Sequence, residues 1–140
     1  MMNIEFSFII IDDSELDCYV TQKFLERTND SLVIETFQNA EHALQKICET
    51  HAENDKAPTI ILLDLQMPMM DGYRFVEEFE KLPPEIQKKY MIIILTVLSS
   101  TSDPNDIYRI LAYPTVNSII EKPLTKEKLI TLLEQVRSEI

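Results

Sequence analysis

The sequence predicts an open α/β fold in which a parallel five-stranded sheet is wound on both faces by five helices. Short apolar runs alternate with segments of helical periodicity five times along the 140 residues. The runs are apolar almost throughout, as strands covered on both faces are. Several also end on charge: one closes on Asp12-Asp13, one on Asp64, and one on Glu121-Lys122. In the doubly wound order 2-1-3-4-5, the carboxyl ends of strands one, three and four lie side by side and open onto one crevice.

The elements follow in turn. Phe6 to Ile11 reads as the first strand, and Ser14 as the N-cap of a helix repeating Leu16, Val20 and Phe24 at helical spacing. Leu32 to Phe37 is the second strand. Asn39 caps the next helix, with Ala40, Ala43, Leu44, Ile47 and Cys48 on its apolar face. The polar stretch from Glu53 to Pro58 is a loop before the third strand, Thr59 to Asp64. A helix carrying Phe75, Val76, Phe79 and Leu82 follows and stops at Pro83-Pro84. Tyr90 to Thr96 is the fourth strand. Asp103-Pro104 reads as a cap followed by proline at the first helical position, opening a helix faced by Ile107, Ile110 and Leu111 and ended by Pro114. Val116 to Glu121 is the fifth strand. The last helix begins near Thr125 and presents Leu129, Leu132, Leu133, Val136 and Ile140.

Composition narrows the functional classes. The length fits one domain over 1–140, with no separate output domain, and 45% hydrophobic content supports a sizeable core. Thirteen basic against twenty-four acidic residues give a net charge of −11, the wrong sign for nucleic acid or an anionic membrane. No apolar stretch reaches membrane-spanning length and the start lacks a signal-peptide pattern, so a cytoplasmic location is expected. Gly72 is the single glycine. A P-loop or a dinucleotide fingerprint needs several, so neither device is present. Cys18 and Cys48 are not in a CxxC spacing and read as reduced, buried thiols. His42 and His51 match no zinc spacing and read as surface residues.

The strand ends carry the chemistry. Asp12, Asp13 and Asp64 around one crevice repel one another unless a cation joins them. Magnesium takes hard oxygen ligands and commonly uses one or two carboxylates plus a phosphate. Lys122 adds a positive charge and Thr96 a hydroxyl donor. A nucleophilic aspartate, a metal, a lysine and a hydroxyl are the parts that form and stabilise an aspartyl phosphate. Singly, each has a plainer explanation. Asp12-Asp13 suits a helix N-terminus, and Lys122-Pro123 an ordinary turn.

Asp12-Asp13-Ser14, the Asp64 strand with Met67-Pro68-Met69-Met70-Asp71-Gly72, Thr96, and Glu121-Lys122-Pro123-Leu124 together resemble the receiver domains of two-component response regulators, of the single-domain chemotaxis type. The resemblance covers nearly the whole chain. It implies a flavodoxin-like fold and phosphotransfer from a sensor histidine kinase or histidine phosphotransfer protein to Asp64. It also implies that Asp13 and Asp64 ligate magnesium directly, that Asp12 does so through water, and that Gln66 contributes its backbone carbonyl. Thr96 would donate to a phosphoryl oxygen and Lys122 would pair with the phosphoryl group, across a cis Lys122-Pro123 bond. Gln66 and Leu98 would tune the access of water to the acyl phosphate.

One position departs from the pattern. Ile119 stands three residues before the lysine, where many receivers carry a tyrosine or phenylalanine that swings inward. Signalling is then expected to run through the 97–103 loop and the helix after it, with Tyr108 and Tyr113 read as packing residues. The face of that helix, the fifth strand and the last helix is the expected docking or homodimer surface, for an unnamed downstream protein. The implied role is a switch rather than an enzyme, acting only on its own phosphoryl group. A relay shuttle remains open, as does a phosphohydrolase using the same aspartate. The latter usually wants an acid two residues after the nucleophile, where this chain has Gln66.

Overall fold

The computed structural model describes residues 7–28, 33–50, 59–65, 71–96, 104–122 and 124–138. Five strands, β1 (Ser7–Ile11), β2 (Val33–Phe37), β3 (Thr59–Asp64), β4 (Tyr90–Thr96) and β5 (Val116–Glu121), form one sheet. Their order is β2-β1-β3-β4-β5 and every pair is parallel, as the sequence predicts. The helices are α1 (Glu15–Thr28), α2 (Ala40–Thr50), α3 (Gly72–Phe79), α4 (Pro84–Gln87), α5 (Pro104–Leu111) and α6 (Lys126–Ser138).

Strand side chains alternate between two apolar layers. Ile9, Ile11, Ile61, Leu63, Ile92 and Ile94 face α2 and α3, meeting Ala43, Ile47, Phe75 and Phe79. Phe8, Ile10, Ile60, Leu62, Ile93 and Leu95 face α1 and α6, meeting Leu25, Leu129, Leu132 and Val136. The inner strands are therefore buried on both sides. β2, at the sheet edge, is largely exposed.

Caps fix where the helices begin. Ser14 Oγ accepts from Asp17 N and Asn39 Oδ1 from Glu41 N and His42 N, both as the sequence reading expected, and Thr125 Oγ1 accepts from Lys128 N at the start of the last helix. Asp71 caps α3 through Arg74 N.

Four expectations are corrected. Among the described residues six helices are present instead of five, because the residues after Pro83 form the single turn α4. Pro84 supplies a pre-set φ at its first position, and Gln87 Nε2 donates to the Glu80 and Leu82 carbonyls. The buried stripe of α1 is Cys18, Thr21 and Leu25, while Leu16 is 70% and Val20 42% exposed. Both stripes have helical spacing. The helix roll is chosen at its start, where Ser14 N donates to Asp12 Oδ1 and the Cys18 thiol donates to the Asp12 carbonyl oxygen. Cys48 is exposed, not buried, since it lies one residue past Ile47 and is rotated away from the α2 stripe centred on Ala40, Ala43 and Ile47. Tyr108 also points outward, at 73% exposure, whereas Tyr113 packs against the core as expected. Leu32, His51, Asp103 and Ile140 lie outside the described residues. No helix among the described residues is long and apolar enough to cross a membrane.

Candidate functional site

The backbone aligns the strand ends. Ile11 pairs with Leu63, Asp64 with Leu95 and Thr96 with Glu121. An irregularity between Ile92 and Ile93 advances β5 by one residue, from the pair Ile92–Val116 to the pair Ile93–Ser118. That shift sets Glu121 opposite Thr96. Pairing then continues past the strands: Asp12 N donates to the Phe37 carbonyl, Leu65 N to that of Leu95, and Lys122 N to that of Thr96 at 2.7 Å. Asp12, Asp64 and Lys122 are thus held at one edge by backbone bonds before their side chains interact.

Those side chains converge. Ligand oxygens of Asp12, Asp13 and Asp64 all lie within 4.8 Å of one another. Asp12 and Asp64 are buried and Asp13 is exposed. Lys122 Nζ lies 3.0 Å from Asp12 Oδ2 and 3.4 Å from Asp64 Oδ1. Thr96 is buried at the end of the neighbouring strand. Burial by itself lowers the Lys122 pKa. The hydrogen bond to Asp12 and the charges of Asp64, Asp12 and Asp17 outweigh it, so the net direction is upward and the ammonium stays charged.

The three carboxylates offer the oxygen donors that a hard divalent cation requires. Magnesium–oxygen bonds of about 2.1 Å put direct ligands at most about 4.2 Å apart. Donors spread over 4.8 Å close on such an ion with a small side-chain rotation or through one bound water. The residues therefore fit magnesium.

The predicted residues Asp12, Asp13, Asp64, Thr96 and Lys122 are brought to one edge, while Gln66, Leu98 and the Lys122-Pro123 bond involve positions outside the described residues. The strand-end reasoning missed Asp17. Its Oδ2 lies 3.5 Å from Lys122 Nζ. The available signal was its place three residues after the Ser14 cap, in the first turn of α1 facing the crevice. Gly72 has a second role beyond the motif. A Cβ there would meet Leu65 Cα at 2.9 Å and the Asp64 carbonyl oxygen at 3.0 Å, so the start of α3 rests directly on the backbone leaving β3.

The fold is thus an open parallel α/β sheet in the order 2-1-3-4-5 with an acid cluster and a lysine at its carboxyl edge, and comparison narrows the class. The family model for the response regulator receiver domain matches residues 8–134, and the chain belongs to that family. A response regulator receiver protein from Dyadobacter fermentans superposes with a TM-score of 0.78 at 30% identity, covering 94% of this chain and 98% of that one. A probable C4-dicarboxylate response regulator of Halalkalibacterium halodurans is 25% identical over 127 residues, 91% of this chain and 49% of its own length. A peroxide stress-activated histidine kinase of Schizosaccharomyces pombe is 27% identical over 131 residues, 94% of this chain but 8% of its own length. The chain thus spans half or less of these two relatives.

Proposed function

We propose that this chain is a cytoplasmic switch of a two-component or phosphorelay pathway that accepts a phosphoryl group on Asp64 with magnesium. The observation that carries the reading is the Asp64 carboxylate at the end of the central strand, with the Lys122 ammonium 3.4 Å away and the Asp12 and Asp13 carboxylates beside it. The donor is the phosphohistidine of a sensor kinase or of a histidine phosphotransfer protein. An Asp64 oxygen forms the new bond to phosphorus as the bond from phosphorus to the imidazole nitrogen breaks, and that nitrogen leaves with the bonding pair. Asp12, Asp13 and Asp64 would hold magnesium, with the Gln66 carbonyl that the receiver resemblance implies, and the ion would supply charge stabilisation during the transfer. Lys122 then shifts from its carboxylate partners to the phosphoryl oxygens, and the Thr96 hydroxyl donates to another.

The output is a changed surface. Loss of Lys122 from Asp12, together with movement of Thr96, alters the carboxyl end of β4 and the register partner Glu121. The face of α5, β5 and α6 adjoins that end. It carries a groove of about 380 Å³ lined by Ile119, Ile120, Lys128 and Leu132 among others. We assign to this face the downstream protein or a second copy of the chain. Ile119 packs against the core from the same strand, so the relay there runs through aliphatic repacking. The chain acts on its own phosphoryl group and not on an external ester.

Incubation with acetyl phosphate and magnesium, followed by intact mass, tests the reading. Wild type should gain one phosphoryl group and Asp64→Asn none. Equal labelling of the variant, or an unlabelled wild type, would falsify it.

A further inference from the structure

Asp17 occupies the third position of α1, after the Ser14 cap. An acid at this position ordinarily turns back to accept the cap residue's own N–H. Here Asp12 Oδ1 already accepts that N–H at 2.9 Å. Asp17 reaches across the crevice instead, with Oδ2 3.5 Å from Lys122 Nζ. Three carboxylates therefore hold one ammonium, at 3.0 Å from Asp12, 3.4 Å from Asp64 and 3.5 Å from Asp17. They are not equivalent. The side chains of Asp12 and Asp64 are 4% and 10% exposed, whereas that of Asp17 is 50% exposed. Asp17 is the partner that stands between Lys122 and solvent.

We propose that Asp17 is a positioning residue that tethers Lys122 at the mouth of the crevice and disfavours small, highly charged phosphoryl donors. The inference rests on the reading that Asp64 is the phosphoryl acceptor. Lys122 is the one cation among the described residues within ion-pair distance of the acid cluster, so its charge is what draws a free phosphate compound to the crevice. Asp17 cancels that charge and adds its own to a crevice already carrying Asp12, Asp13 and Asp64. A protein donor brings contacts of its own to offset the repulsion, and a small dianion brings none. The plainer role for an acid in a first helical turn is interaction with the helix dipole. That role changes stability when the charge is removed, and it leaves the preference between donors where it was.

The test uses the full chain as wild type, Asp17→Asn and Asp17→Glu. Initial phosphorylation rates are followed by intact mass with two donors, acetyl phosphate and the less negatively charged phosphoramidate. Asp17→Asn should raise the acetyl phosphate rate by roughly two- to fivefold, the range that one half-exposed ion pair supports. The phosphoramidate rate should rise less. Added salt should narrow the gap between variant and wild type, since the pair is open to screening. Asp17→Glu, which keeps the charge, should retain the wild-type donor preference. Equal gains with both donors, no gain, or a slower Asp17→Asn overturns this inference alone. A wild type unlabelled by either donor overturns the Asp64 reading and this inference with it.

Discussion

Asp13 differs from its neighbours in being exposed, yet its carboxylate belongs to the same cluster as the buried Asp12 and Asp64. Lys122 lies within ion-pair distance of both buried acids, so Asp13 adds a negative charge that the lysine does not directly neutralise. On the proposed reading a bound cation relieves this repulsion, and residues of that kind trade stability for binding. Two opposite effects are expected from Asp13→Asn. The metal-free variant should be more stable than wild type by about 0.5–1 kcal/mol, the size of one partly screened charge contact. Excess magnesium should raise the melting temperature of wild type, by an amount equivalent to about 2.7 kcal/mol at a hundredfold excess over Kd. The variant should show a much smaller rise. Thermal melts with and without magnesium measure both, and an equal metal-induced rise in the two proteins would remove Asp13 from the metal set.

At the level of elements, the approach of α3 to the end of β3 is the tightest constraint near the site. The Gly72 amide donates to the Leu65 carbonyl at 3.0 Å, and backbone atoms stand where a Cβ would go. Gly72→Ala must push α3 away or displace the peptide that carries Asp64. A loss of about 1–3 kcal/mol is expected, as for overpacking elsewhere, together with a weaker magnesium-induced rise in melting temperature. Urea unfolding measures the first and thermal melts the second; wild-type values for both would show that the contact yields freely. The motif containing Gly72 was legible in the sequence, but this packing role was not, because it depends on a residue seven positions earlier. The same limit explains α1. Leu16, Val20 and Phe24 declare a helix, but so do Cys18, Thr21 and Leu25. The choice between the stripes is made by bonds that Asp12, in the turn after β1, accepts from Ser14 and Cys18. The turn α4 escaped notice because a proline pair ends one helix and starts the next with equal ease.

For the whole molecule, topology was legible because it follows from two coarse patterns: strand runs apolar on both faces, and strict alternation with helices. The convergence of Asp12, Asp64 and Thr96 followed from that order, whereas the place of Lys122 also depended on the register shift in β5 and the Asp17 contact on the actual path of α1. One property of the packed molecule was not visible in any single segment. Burial, then the charges of Asp12 and Asp17, push the Cys18 thiol from 9.0 up to about 11, only partly offset by the Lys122 charge. Burial, then Glu35 and Cys48, push the Tyr90 hydroxyl upward as well. Lys122 is also raised, its carboxylate partners outweighing burial. All three groups bind their protons more tightly in the folded chain than in the unfolded one. On raising the pH, the unfolded chain releases these protons first, so unfolding becomes easier. The Cys18 contribution is intact below pH 9 and is lost between pH 9 and about 11, on the order of 2 kcal/mol over that window. Tyr90 and Lys122 extend the loss to higher pH. Urea midpoints measured across this range should therefore fall steadily for wild type. Cys18→Ala should start lower, having lost a buried side chain, but decline less steeply between pH 9 and 11. Parallel slopes in the two proteins would mean that the thiol does not titrate differently on folding, and that the alkaline loss arises from the other two groups.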